Sequence, residues 1–158
     1  MMMSLCCDVL KVLSGRTLVT AESCTGGGIG AALTAVPGSS AVYKGGIISY
    51  TNWVKENVLG VDKVLLDQFG AVSAPVAWAM AEGARVKLMA DIAVSVTGLA
   101  GPGGDDFGNP VGTVFVGYSD GRGTFSRNFL FEGDREQVRQ SASKAALELV
   151  LEMNGQKM

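Results

Sequence analysis

The chain has 158 residues, 47% of them apolar and 18% charged, with a formal net charge of -2. That length fits one domain of about 150 residues with its own core, and the composition excludes intrinsic disorder. A nearly neutral, slightly acidic domain lacks the field that draws nucleic acid or an anionic membrane, and no apolar run approaches the ~18 residues that span a bilayer. There is no histidine, which removes His-based triads, His-based zinc sites and imidazole acid/base chemistry. Any reaction must run on hydroxyls, thiols, lysines, carboxylates or backbone amides.

Residues 4–14 read as a short helix, with Gly15 placed as its C-cap. The opening Met1-Met2-Met3-Ser4-Leu5 has no cationic start, and Asp8 and Lys11 interrupt the apolar stretch, so neither a signal peptide nor an anchor is expected. Cys6, Cys7 and Cys24 form no metal spacing, and an odd count suggests reduced thiols in a cytoplasmic protein. Arg16 to Ala21 is a β-branched run expected as a buried strand. A glycine run then opens a helix through Ile29, Leu33 and Val36, stopped by Pro37-Gly38. Gly46 to Thr51 reads as a second strand, with helical turns from Asn52 to Phe69. Ser73-Ala74-Pro75 starts a helix, with a hydroxyl cap and an early proline, and Val76, Met80, Ala84 and Leu88 form its apolar face. Ile92 to Thr97, Val111 to Tyr118 and Thr124 to Phe131 are three more strands, the last two joined at Asp120-Gly121. Asp134 and Gln137 resemble a capping box opening a last helix through Val138, Ala142, Ala145, Leu149 and Val150.

This alternation predicts an α/β fold, a three-layer α/β/α sandwich with a mixed, largely parallel sheet. One domain over residues 1–158 is expected, with the motif-bearing part at about 16–153. The 22 glycines cluster, four between Gly26 and Gly30 and nine between Gly98 and Gly123. These clusters follow the first and third strands, so both should face the crevice beyond the strands' carboxyl ends.

Four segments carry the candidate chemistry. Ala21-Glu22-Ser23-Cys24-Thr25-Gly26-Gly27-Gly28 places a hydroxyl and a thiol at a helix start, where free N–H groups stabilise negative charge. Ser23 could be a nucleophile with an oxyanion hole at Thr25, Gly26 and Gly27, or Ser23 or Thr25 could simply cap the helix. No lysine follows the glycines, so this is not a Walker loop. In Ser49-Tyr50-Thr51-Asn52-Trp53-Val54-Lys55, Lys55 could be the base a histidine-free nucleophile needs, or a solvated lysine; Tyr50 could equally be sheet packing. Thr97-Gly98-Leu99-Ala100-Gly101-Pro102-Gly103-Gly104 is either a ligand-wrapping loop or a flexible crossover. Arg135 lies in the first turn of a helix, an anion site or a surface residue.

Taken in order, A-E-S-C-T-G-G, S-Y-x-N-x-x-K, G-A-V-S, T-G-x-A-G-P-x-G, P-V-G-T-V and F-x-G-D-R resemble the CinA C-terminal domain family, whose members are also known as nicotinamide mononucleotide deamidases or competence/damage-inducible proteins. The resemblance covers roughly Leu18 to Leu151. It implies hydrolysis of the carboxamide of nicotinamide mononucleotide to nicotinate mononucleotide and ammonia, without metal or organic cofactor, usually in a homodimer. By the same matching Ser23 is the nucleophile, Lys55 its base and Tyr50 the accompanying tyrosine. Thr97 and the adjoining Gly98 lie in the site, and Arg135 is a substrate-binding candidate. Such a base must be neutral, which requires burial to lower its pKa from ~10.4 towards ~7–8. The loop departs from the family pattern: Asp105 stands where a glycine is common and Asn109 where a lysine is common, which bears on substrate preference. Two other readings are a non-catalytic nucleotide-binding module of a competence or DNA-damage response, and a cysteine hydrolase acting through Cys24.

Overall fold

The computed structural model describes residues 2–155. Helix α1 (Met2–Val12) leads into β1 (Leu18–Glu22), followed by α2 (Gly28–Thr34), a 3-10 turn at Ser39–Ala41 and β2 (Tyr43–Ile48). Helices α3 (Asn52–Asn57), α4 (Lys63–Phe69) and α5 (Ala74–Lys87) come next, then β3 (Ile92–Gly98), the hairpin β4 (Thr113–Asp120) and β5 (Gly123–Leu130), and α6 (Arg135–Gly155).

The sheet order is β2-β1-β3-β4-β5. β1 pairs in parallel with β2 and β3, whereas β3–β4 and β4–β5 are antiparallel. β4 is therefore the one strand that reverses. Side-chain alternation sorts the two cores. Leu18, Ile92, Val94, Val96, Val114, Val116 and Tyr118 pack against α1, α2 and α6, while Val19, Ala21 and Ala93 pack against Val76, Met80 and Ala84 of α5. With helices on both faces, the central strands read as continuous apolar runs. The expected three-layer α/β/α architecture is present. Among the described residues, no helix is long and apolar enough to cross a membrane.

Local signals explain most boundaries. The capping box at α6 is reciprocal: the Asp134 amide donates to Gln137 Oε1 (2.8 Å) and the Gln137 amide to Asp134 Oδ1 (2.9 Å). β2 begins three residues before the expected Gly46, and its Gly45-Gly46 pair does not break it. The reason is the edge position: the Tyr43 hydroxyl folds back over Gly46 and meets Thr20 Oγ1 at 2.7 Å, in space a side chain would fill. The stretch from Asn52 to Phe69 is two helices, because Gly60 takes a left-handed φ of +78° between them. Ser73 precedes α5 as expected but makes no side-chain cap; its hydroxyl donates to the Gly70 carbonyl at 2.8 Å.

The chain leaves β1 into α2 on one face and reaches β3 through α5 on the other. That reversal opens a crevice at the carboxyl end of the parallel strands.

Candidate active site

Three strand ends converge on this crevice. Ser23 follows β1, Ser49 and Tyr50 follow β2, and the segment from Gly98 to Gly104 leaves β3. Apart from the fully buried Ser49, they line a cavity of about 400 Å³ together with Lys55, the Ala71-Val72 loop and Arg135 at the start of α6, within the range of small-ligand sites.

The Ser23 amide extends the β1–β3 ladder by donating to the Val96 carbonyl at 2.9 Å. That contact fixes the backbone carrying the hydroxyl. Lys55, on α3, is 1% exposed. Its Nζ donates to Ser23 Oγ at 2.8 Å, to the Ser49 carbonyl at 2.7 Å and to the Tyr50 carbonyl at 3.4 Å. Burial pulls the Lys55 pKa down to about 8, only partly opposed by the neighbouring Cys24. The buried Cys24 thiol is pushed the other way by the same desolvation, up to about 11, although Lys55 and Arg139 pull against it. At neutral pH Cys24 is a thiol, not a thiolate.

Tyr50 and Arg135 sit at the rim. The exposed Arg135 donates from Nη1 to the Gly101 carbonyl (2.7 Å) and from Nη2 to the Tyr50 hydroxyl (3.0 Å), tying the β2 and β3 loops together. A guanidinium has five N–H donors, so these two bonds leave three for a ligand. The buried Thr97 hydroxyl donates to the Ala71 carbonyl at 2.8 Å and pins one wall of the cavity to another. Gly98 is bare because β4 passes close: a β-carbon there would lie 2.7 Å from Val114 Cγ2.

The turn after Ser23 differs from expectation. Glu22, 2% exposed, fills the helix start with its own carboxylate. Oε1 accepts from Thr25 Oγ1 (2.7 Å), the Gly27 amide (3.1 Å) and the Ile29 amide (3.0 Å), and Oε2 from the Gly30 amide (2.9 Å). The Gly26 amide donates to the Ser23 carbonyl at 3.0 Å. Gly26 and Gly27 therefore have no amide to spare for an oxyanion, and the Thr25 hydroxyl is also engaged. Among the described residues, the amides of Cys24 and Thr25 donate to no backbone acceptor.

One further group, Arg139, was not singled out from sequence. Arg139 reaches the Cys24 carbonyl (Nε, 3.0 Å) and the Thr25 carbonyl (Nη2, 3.3 Å). Its signal was its spacing, four residues after Arg135 and so on the same side of α6. The loop that departs from the family pattern is internally bonded. The Asp105 carboxylate accepts from the amides of Phe107 (3.1 Å) and Asn109 (3.2 Å) and from Asn109 Nδ2 (2.7 Å). Asn109 Nδ2 also donates to the Val72 carbonyl at 3.1 Å, so the two unusual residues form one latch onto the cavity wall.

Residues 4–154 match the model of the CinA C-terminal domain. A nicotinamide-nucleotide amidohydrolase PncC from Pseudomonas putida is 48% identical over 136 residues, 86% of this chain and 85% of that protein. A CinA-like protein from Parasynechococcus marenigrum is 58% identical over 118 residues, 73% of this chain but only 28% of that longer protein. The chain thus aligns with about a quarter of the length of such relatives. The crystal structure of a competence/damage-inducible protein from Agrobacterium tumefaciens superposes with a TM-score of 0.93 at 38% identity, covering 97% of this chain and 95% of that one. An Escherichia coli CinA superfamily protein gives 0.94 at 32% identity, covering 97% and 90%. With the model match spanning nearly the whole chain, this protein belongs to the CinA C-terminal domain family.

Proposed function

We propose that this chain is an amidohydrolase that converts nicotinamide mononucleotide to nicotinate mononucleotide and ammonia through a Ser23–Lys55 pair. The observation that carries the reading is the 2.8 Å contact between Lys55 Nζ and Ser23 Oγ at the floor of the cavity, with the lysine pKa drawn down to about 8. The Pseudomonas putida relative, named for this activity, supports the substrate.

In the neutral form Lys55 has two N–H donors and one lone pair. The carbonyls of Ser49 and Tyr50 take the donors, which leaves the lone pair for the Ser23 hydroxyl proton. Ser23 Oγ attacks the carboxamide carbon as its proton moves to Nζ, and the oxyanion is held by backbone amides. Lys55 then returns the proton to the departing nitrogen, and ammonia leaves an acyl-enzyme. Water attacks that ester, Lys55 accepts its proton, and Ser23 recovers a proton as nicotinate mononucleotide departs. The oxyanion donors are the amides of Thr25 and Cys24, rather than those of Gly26 and Gly27 that a helix-start reading favours. Thr97 and Gly98 shape the wall behind the reacting centre.

The reacting amide is neutral, so binding energy must come largely from the phosphate and ribose. Arg135 is the anion site in this reading, with Tyr50 orienting its guanidinium. Incubation with nicotinamide mononucleotide should release one ammonia per nicotinate mononucleotide formed. Tight binding of the nucleotide with no ammonia released would instead make the chain a binding module.

A further inference from the structure

We propose that Arg139 is a positioning residue that turns the Thr25 amide towards the cavity and holds it there as an oxyanion donor. This inference rests on the amidohydrolase reading. Arg139 lies half-buried on α6, and among the described residues its guanidinium pairs with no carboxylate. It bonds two successive backbone carbonyls, Cys24 O at 3.0 Å and Thr25 O at 3.3 Å.

A trans peptide is planar, with its C=O and N–H pointing in opposite directions. The Cys24 carbonyl faces Arg139, so the Thr25 N–H points away from Arg139. The next peptide obeys the same rule: the Thr25 carbonyl faces Arg139, and the opposed Gly26 N–H donates to the Ser23 carbonyl at 3.0 Å. The turn separates two spaces. Ser23 and Cys24 line the catalytic cavity, whereas Arg139 and Thr25 line a different recess of about 240 Å³ together with Gly28, Glu136, Gln140 and Ser143. An N–H directed away from Arg139 is thus directed to the cavity side of the turn.

Orientation here needs enforcement. Gly26 and Gly27 follow at φ of +61° and +102°, so the backbone has glycine's freedom to flip the adjoining peptides. Glu22 anchors the amides from Gly27 onward and the Thr25 hydroxyl, but none of its bonds reaches the Cys24–Thr25 peptide. Arg139 supplies the missing restraint. Close approach supports the fit, since a β-carbon on Gly26 would lie 3.3 Å from Arg139 Nη2.

The test is Arg139→Met, assayed with nicotinamide mononucleotide beside the unsubstituted protein. A silent unsubstituted protein would refute the amidohydrolase reading; with that protein active, the variant tests Arg139 alone. Removing one oxyanion donor outright costs ~10²–10³ in kcat, and a donor that is only misaligned should cost ~10–100-fold with KM within about threefold. Calorimetry with nicotinate mononucleotide should give the same affinity within about threefold and one site per chain, which separates misalignment from misfolding. The pH midpoint of kcat/KM should stay in place, because the proposed action is on a peptide plane and not on the charge of Lys55. Where Arg139→Met binds product at fewer sites than chains, Arg139→Gln, which retains a donor for the Cys24 carbonyl, is judged by the same criteria. A kcat within twofold of the unsubstituted protein, a loss confined to KM, or a pH midpoint displaced by about one unit would each overturn the assignment.

Discussion

The Lys55 amine should be readable twice, once in catalysis and once in stability. Its ordinary pKa of 10.5 falls to about 8 on folding, because burial removes water from the ammonium. In the proposed reaction the free base is the competent form, so kcat/KM should climb about tenfold per pH unit below 8 and level off above it, with about a tenth of the chains competent at pH 7. In stability the sign follows from proton counting. Between pH 8 and 10.5 the unfolded chain binds more protons than the folded one, so stability rises with pH across that window. Below pH 8 the full cost of burying the charge is present, and a gap of 2.5 units at about 1.36 kcal/mol each makes it about 3 kcal/mol. Lys55→Met removes this titration and leaves the other ionisable groups. Urea unfolding of both proteins from pH 7 to pH 11 should show the unsubstituted chain gaining about 3 kcal/mol relative to the variant. A flat kcat/KM from pH 6 to 9, or a stability difference that does not change with pH, would refute the reasoning. An activity limb without the matching stability change would assign the base to another group.

Ser23→Ala should abolish ammonia release while leaving the thermal midpoint almost unchanged; Cys24→Ala should retain activity within about threefold, since its thiol, pushed up to about 11, is protonated at neutral pH. Arg135→Ala should lower kcat/KM for the nucleotide by ~10–100-fold, on the scale of a charged hydrogen bond, and barely alter any turnover of free nicotinamide; equal losses on both would end its phosphate role. Asp120, 3% exposed at the end of β4, offers a check away from the site. Burial would raise its carboxyl, yet bonds from Arg122 (Nη2, 2.7 Å) and the Tyr118 hydroxyl (2.8 Å) hold it at about 2, below its ordinary 3.8. Its folded pKa is depressed, so its stabilisation of about 2 kcal/mol is present above pH 3.8 and is lost as pH falls towards 2. Asp120→Asn should destabilise by that amount at pH 7 in urea melts, and the two proteins should converge near pH 2.

The sandwich was legible because its local signals agree with one another. Apolar runs of 4–8 residues marked the central strands, and Asp134 with Gln137 marked the start of α6. Errors fell where tertiary contact overrides composition. The sequence starts the second strand at Gly46, yet β2 begins at Tyr43 and runs through Gly45-Gly46, because Tyr43 covers the bare backbone of an edge strand. At the site, the residues near Ser23 were legible as residue types at a helix start. The donor pattern was not, because a glutamate ending a strand looks like a solvated charge until the fold wraps the start of α2 around it. Arg139 was hidden for the same reason: its acceptors are carbonyls more than a hundred residues away in sequence. The Asp105–Asn109 pair, legible as a departure that bears on substrate preference, is a hydrogen-bonded latch on the cavity wall.

One physical cause sorts the three nucleophilic or basic groups of this site. Ser23, Cys24 and Lys55 are all buried, and desolvation penalises whichever form is charged. For Lys55 that form is the ammonium, so burial makes the amine a better-populated base. For Cys24 it is the thiolate, so the same dry surroundings keep the stronger intrinsic nucleophile protonated. Proton transfer from Cys24 to Lys55 would create two charges at once in dry surroundings, and with the thiol pushed up and the amine drawn down by burial the neutral pair is favoured. The Ser23 hydroxyl escapes this penalty, since in the proposed reaction its proton leaves only as the new bond forms and the charge passes to the oxyanion. That is how a serine beside a cysteine can be the reacting group in a chain without histidine.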